Sequence, residues 1–460
     1  MRHQKAVLQV VILLGLVLFV THISAWGSEI NQLTDDRITV FYPSIVPEEF
    51  AIRILRNEEK ALPYVENFLN VRYQGTVDVY ITIGESLFGF GQAGPGRITY
   101  DLPSASLQGE SNAFAQIAST GEVATHEMTH IVSGQQFGPY SSLDEGLAVA
   151  INRTSDSSRQ VHPHFLSKGL LQIGQLAPIV PVWLEWTSEK SIYRYEESAS
   201  FILFLIQEYG IESFKSFYRA TANLEKPLAQ PMLEQAFRQV YDVNLASVEV
   251  GWHRFLQEYA PGLEQRAEYV AQARLFLEDP VTTLEAQLDT FYQLSHPGSY
   301  FYVGSVRFVG PLPQKVDSLM IASSRLYVSL ANDLTLPPGQ TYQRFKENSE
   351  ACRTLLEQWW VAVQAYIDAR ALMFHSASYD SIISKLQEAQ RLYKSVGDEV
   401  MVTETNEYIT AYQLVSEGES QLGIGNIEQA RGLLRRALIL FRQLNEPKMV
   451  QRIRVLLLIG

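Results

Sequence analysis

Within Val123 to Val132 two histidines stand four residues apart, and a glutamate directly follows the first: His126, Glu127 and His130 form the pattern H-E-x-x-H. Residues four apart lie one above the other on a helix, so both imidazoles can meet one ion while Glu127 lies beside them. Ala124, Met128, Ile131 and Val132 fall on the opposite side and give the same helix a face for the core. A zinc ion held this way, with one coordination position open to water, lowers the pKa of that water to about 7, and Glu127 is placed to take its proton.

A catalytic zinc needs a third protein ligand. Glu145 is the candidate, in Leu143-Asp144-Glu145-Gly146-Leu147-Ala148-Val149-Ala150, an apolar helical segment after the turn Gly138-Pro139-Tyr140. A short loop and a second helix bring its carboxylate back over the first helix. The competing reading is a capping box over Ser142 to Glu145, in which Glu145 reaches a backbone amide instead. A purely structural zinc site would use four protein ligands and usually several cysteines; this chain has one, Cys352, which also excludes an intramolecular disulfide.

In these residues the chain resembles the gluzincin metallopeptidases, in which an H-E-x-x-H helix is followed by a second helix with a glutamate in the context Leu-x-Glu-Gly-x-Ala. Here that context is Leu143 to Ala148, and the resemblance extends from about Ile38 to Tyr259. It implies His126, His130 and Glu145 as ligands of one zinc ion, Glu127 as general base, and hydrolysis of peptide bonds. A donor for the oxyanion is then wanted across the site. The resemblance points to Tyr195, near the start of a long apolar helix ending at Tyr209-Gly210, and its competing role is to pack at the helix start. His162 and His164, flanking Pro163, are further possible donors, and their competing reading is as plain loop histidines.

Two departures matter. The thermolysin-like branch has an acid four residues after the third ligand to orient an imidazole, and that position here is Val149. The orienting group must come from elsewhere. The aminopeptidase branch has a Gly-x-Met-Glu-Asn motif to hold a free amine, whereas the corresponding region here reads Gly94 to Tyr100 with no glutamate, so aminopeptidase activity is not expected. Arg97 to Tyr100 is expected instead to form an edge strand against which an extended peptide aligns.

The elements that must position these groups are legible as a sheet followed by helices. Arg37-Ile38-Thr39-Val40-Phe41-Tyr42, Val77 to Ile83 and Arg97 to Tyr100 read as strands, and Pro47 to Asn70 as a helix between the first two. From about Phe114 the pattern is helical, with breaks at Gly138-Pro139, Pro178 to Pro181, Gly210, Pro261-Gly262 and Pro337-Pro338-Gly339. Near the end, Leu386, Ala389 and Tyr393 are echoed by Leu434, Ala437 and Phe441, a spacing of 48 residues. Small residues followed by large ones suit stacked helical hairpins and loosely resemble tetratricopeptide repeats, whose period is nearer to about 34. The expected fold class is α+β: a small mixed sheet, a mainly helical zincin-like catalytic domain, and an all-α C-terminal domain of TPR-like hairpins.

Composition bounds the rest. At 460 residues with 46% hydrophobic and 19% charged residues, the chain is long enough for two or three domains and balanced for folding in water. Its net charge of −13 comes with no basic run, so nucleic acid is not an expected partner. Arg2, His3 and Lys5 precede an apolar run from Ala6 to Val20, too short for the roughly 20 residues of a membrane span but fitting a secretory signal. Ser24-Ala25 supplies a cleavage site, while the bulky Ile23 leaves an uncleaved anchor open. The triplet Asn152-Arg153-Thr154 is a glycosylation sequon of a kind common by chance.

The organisation expected is therefore a signal peptide or anchor over 1–25, a gluzincin-like metallopeptidase domain over 31–260, and a helical-hairpin domain over 262–460. The protein is expected to be extracytoplasmic, secreted or held to the membrane only by its N-terminal segment. It is expected to act on a peptide or protein substrate, with a protein partner at the C-terminal helices. The alternative is an exported scaffold that keeps the zinc fold without catalysis; the presence of Glu127 argues against it, because a structural site has no use for a general base.

Overall fold

A computed structural model of the chain describes residues 29–84, 90–103, 121–137, 143–155, 160–184, 194–222, 230–276, 313–374, 377–444 and 446–459. Residues 1–28, which include the expected signal or anchor, the turn at Gly138-Pro139-Tyr140 and Ser142 lie outside these residues. The described part is mostly helical, with one five-stranded mixed sheet near its N-terminus. The chain divides into two units, Met1–Ala271 and Gln272–Gly460. The Pro261-Gly262 break separates the helix ending at Glu258 from helical residues 264–276.

The sheet contains β1 (Ile30–Asp35), β2 (Ile38–Pro43), β3 (Val77–Gly84), β4 (Phe90–Gly94) and β5 (Arg97–Pro103), in the order β1-β2-β3-β5-β4. β2, β3 and β5 run parallel, and β1 and β4 are antiparallel to their neighbours. Alternation of side chains puts Ile38, Val40, Val77, Val79, Ile81, Ile98, Tyr100 and Leu102 in the core. The expected edge at Arg97 to Tyr100 is corrected: β5 pairs with β3 on one side and β4 on the other, so β4 is the terminal strand. A short turn with Gly96 at φ 67° folds β4 back onto β5 and takes that edge position.

Helix α1 (Glu48–Leu69) packs on β2 and on α2 (Glu122–Phe137), the helix of the H-E-x-x-H pattern. Ala124, Met128, Ile131 and Val132 of α2 are buried together, as the spacing predicts. Each of the three larger side chains contributes about 1.5–3 kcal/mol on burial. The end of α2 is tied to the chain after α1 by Gln135, whose amide accepts from Gln74 N at 2.7 Å and donates to Gln74 O at 2.6 Å.

α3 (Asp144–Thr154) packs against α2 and against α6 (Tyr195–Tyr209). Between them come α4 (Pro163–Gln172) and the short α5 (Ile179–Leu184), which absorbs Pro181 within one turn and buries Trp183. α7 (Ile211–Ala222), α8 (Gln230–Tyr241) and α9 (Leu245–Glu258) complete the unit, with Trp252 of α9 fully buried. Asn152 is buried within α3, a poor place for a glycosylated side chain.

The C-terminal unit contains α10 (Gln314–Asn332), α11 (Pro338–Phe374), α12 (Tyr379–Val396), α13 (Glu399–Gly423), α14 (Ile427–Gln443) and α15 (Pro447–Ile459), each packed on the next. The paired positions Leu386 and Leu434, Ala389 and Ala437, Tyr393 and Phe441 are all buried. Among the described residues no helix is long and apolar enough to cross a membrane.

Candidate metal centre

The helical rise places His126 and His130 on one side of α2, with ring centroids 4.9 Å apart. α3 crosses so that Glu145, in its first turn, meets both rings. His126 Nε2 lies 3.0 Å from Glu145 Oε2 and 3.2 Å from His130 Nε2, and His130 Nε2 lies 3.5 Å from Glu145 Oε1. One ligand atom from each residue falls within 4.8 Å of the others. Donors about 2.0–2.1 Å from a tetrahedral ion stand roughly 3.3 Å apart, so this triangle has the size and the N/O composition of a three-ligand site.

Glu145 therefore engages the histidines. The capping-box alternative asked it to turn back to Ser142, which lies outside the described residues; the residue before α3 is Leu143, with no side-chain cap. Close approach of α3 and α6 is permitted by Gly146, where an added Cβ would fall 2.0 Å from Ser198 Oγ and 2.7 Å from its Cβ. Ser198 is itself held by Trp183 Nε1, which donates to its hydroxyl at 2.9 Å. The glycine following the candidate ligand is thus required by packing.

Glu127 is buried beside the ligand group. Burial raises its pKa, the His126 and His130 imidazoles oppose that shift, and the net direction is upward. Burial would also raise Glu145, but the two imidazoles outweigh it and hold that carboxyl well below the usual range. His130 titrates well above an ordinary histidine because Asp144 and Glu145 overcome the opposing effect of burial.

Asp144 was not singled out by the sequence as a participant. It is buried, and its Oδ2 lies 2.7 Å from His130 Nδ1. A carboxylate only accepts, so Nδ1 carries the proton of this contact. Asp144 Oδ1 accepts from Tyr218 Oη at 2.6 Å and from Ser133 Oγ at 3.0 Å. The only signal in the sequence was its place next to Glu145, at the first position of the same helix. Val149, where the resemblance would look for an acid, is a buried core residue.

Tyr195 opens α6 and is half-buried against the core. Burial, with Glu145 and Glu196 adding to it, pushes its phenol up to about 12, so the hydroxyl keeps its proton at neutral pH. His162 and His164 are occupied elsewhere. His164 Nδ1 lies 2.9 Å from Ser200 Oγ, within hydrogen-bond reach, and burial lowers that ring to about 3. Ser200 Oγ in turn accepts from Trp252 Nε1 at 3.1 Å, while His162 stacks on Tyr259. These histidines belong to the packing of α4, α6 and α9.

A further buried carboxyl, Glu58, lies close enough to Glu127 to feel its charge. Glu58 of α1 is fully buried and accepts a hydrogen bond from Tyr100 of β5. Burial raises the Glu58 carboxyl to about 8, the Tyr100 bond opposes this, and the charge of Glu127 adds to it. Compared with known proteins, the chain matches no family model and no curated sequence.

Proposed function

We propose that the chain is a zinc-dependent peptidase of the gluzincin type, exported by its N-terminal segment, in which His126, His130 and Glu145 hold one zinc ion. The observation that carries this reading is the convergence of two imidazole nitrogens and one carboxylate on a triangle of ligand size, with a buried glutamate in the same helical turn. The donor set suits zinc, which takes nitrogen and oxygen ligands in tetrahedral sites and keeps a position open when three protein ligands are present. Bound there, zinc would supply an acidic water and polarise a substrate carbonyl.

The protein's own groups account for the remaining work. Glu127, with its pKa raised by burial, accepts a proton from water and returns it to the leaving amine. Tyr195, kept protonated and near enough to Glu145 to feel its charge, is the donor to the developing oxyanion. The mixed sheet and the two crossed helices are consistent with a zincin-like arrangement. The C-terminal helices, with their echoed positions, read as TPR-like hairpins that present a protein partner or restrict access of protein substrates.

The test is zinc content and hydrolysis of casein-derived peptides by the full chain, beside Glu127→Gln. One zinc per chain in both proteins, with cleavage by the wild type alone, supports the assignment. Zinc in both and cleavage by neither across a broad peptide library would favour the scaffold alternative.

A further inference from the structure

An imidazole can offer a metal either nitrogen, and a free ring would populate both tautomers and several orientations. At His130 that freedom is removed by one contact. Nδ1 faces Asp144 Oδ2 at 2.7 Å, and Nε2 is thereby turned to His126 and Glu145. Asp144 is fixed in its turn, because Tyr218 from α7 and Ser133 from α2 both donate to Oδ1 and leave Oδ2 for the ring. The four side chains are buried and come from α2, α3 and α7.

We propose that Asp144 is a positioning residue of the metal centre, which holds His130 with Nδ1 protonated and Nε2 free for the ion, and that Tyr218 and Ser133 hold Asp144. This rests on the reading of His126, His130 and Glu145 as metal ligands. A carboxylate in this place fixes ring direction and raises the basicity of the ligating nitrogen, the role such partners have around metal-bound histidines. The residue stands immediately before the third ligand, so a single helix start supplies both a ligand and the group that orients another ligand.

The experiment is zinc affinity of the full chain by competition with a chromogenic chelator, for wild type, Asp144→Asn and Tyr218→Phe, beside the melting temperature of each metal-free protein. Asp144→Asn keeps the shape and an acceptor for His130 but removes the charge, and should weaken zinc binding by roughly 10- to 100-fold. Tyr218→Phe keeps the ring in the core and removes only the hydroxyl that fixes Asp144; it should weaken binding measurably, by less than Asp144→Asn. A purely structural Asp144 would lower the melting temperature while the folded variants bind zinc as wild type does, and that result overturns the proposal. If Asp144→Asn does not fold, unchanged affinity in Tyr218→Phe overturns it alone. Wild type that binds no zinc would overturn the ligand reading and this inference with it.

Discussion

Gly146 faces Ser198 so closely that the hydroxyl oxygen occupies the space a Cβ would need, at 2.0 Å. The helix carrying Glu145 and the helix opened by Tyr195 can touch only because this residue has no side chain. Gly146→Ala must move one helix, and overpacking of this kind costs about 1–3 kcal/mol even though alanine is the better helix former. The melting temperature should fall by several degrees and zinc affinity should fall with it, since Glu145 is the adjacent residue. A melting curve superimposable on wild type would contradict this account of the contact.

Glu58 should make stability depend on pH. Its carboxyl titrates near 4.5 when unfolded and about 8 when folded. Between those values the unfolded chain releases a proton that the folded chain keeps, so stability from this group is intact below about pH 4.5 and falls as pH rises to about 8. Glu58→Gln has no charge to bury. Relative to wild type it should gain stability progressively over that window, by a few kcal/mol at most at pH 8 to 9. Urea midpoints at pH 5 and pH 8.5 check this; an equal difference between the two proteins at both pH values would refute it.

Tyr195→Phe should separate binding from chemistry. The phenol is expected to act on the developing oxyanion, so its loss should lower kcat by about 10- to 1,000-fold with little change in KM or zinc content. Equal rates for the two proteins on casein-derived peptides would return Tyr195 to a packing role.

In the C-terminal unit, Arg370 of α11 is half-buried and donates to Glu446 and to Tyr408 of α13. Glu446 also accepts from Tyr408 at 2.9 Å. Removing the carboxylate takes the charge partner from a half-buried guanidinium, so Glu446→Ala should destabilise this unit by about 1–2 kcal/mol, read from tryptophan fluorescence during urea unfolding. A change under about 0.5 kcal/mol, the size of an ordinary surface substitution, would show that the network is not needed.

The parts of this structure visible in the sequence are those with strong local signals. β2 and β3 are rich in β-branched residues, β5 has Ile98-Thr99-Tyr100 near its start, α1 ends at Asn70 in a left-handed conformation, and α2 separates its ligand face from its core face. β1 is mostly polar and exposed, and β4 is Phe-Gly-Gln-Ala-Gly with little strand preference, so both depend on their neighbours for their conformation. That is why the sequence alone makes β5 look like the edge of the sheet. His126, His130 and Glu145 could be read because helical spacing and a sequence context bring them together. Asp144 could not, since its partner Tyr218 lies 74 residues away and the contact exists only once α7 packs on α2. Glu58 looked like any polar position of an amphipathic helix until α1 was closed over Tyr100.

X-ray absorption at the zinc edge of the metal-loaded chain reads the ligand set itself. One zinc per chain is expected, with four light N/O neighbours at about 2.0–2.1 Å, two of them imidazoles, and loss of that signature in His126→Ala and Glu145→Ala. A chain that takes up no zinc, or a zinc shell unchanged by both substitutions, would contradict that ligand set.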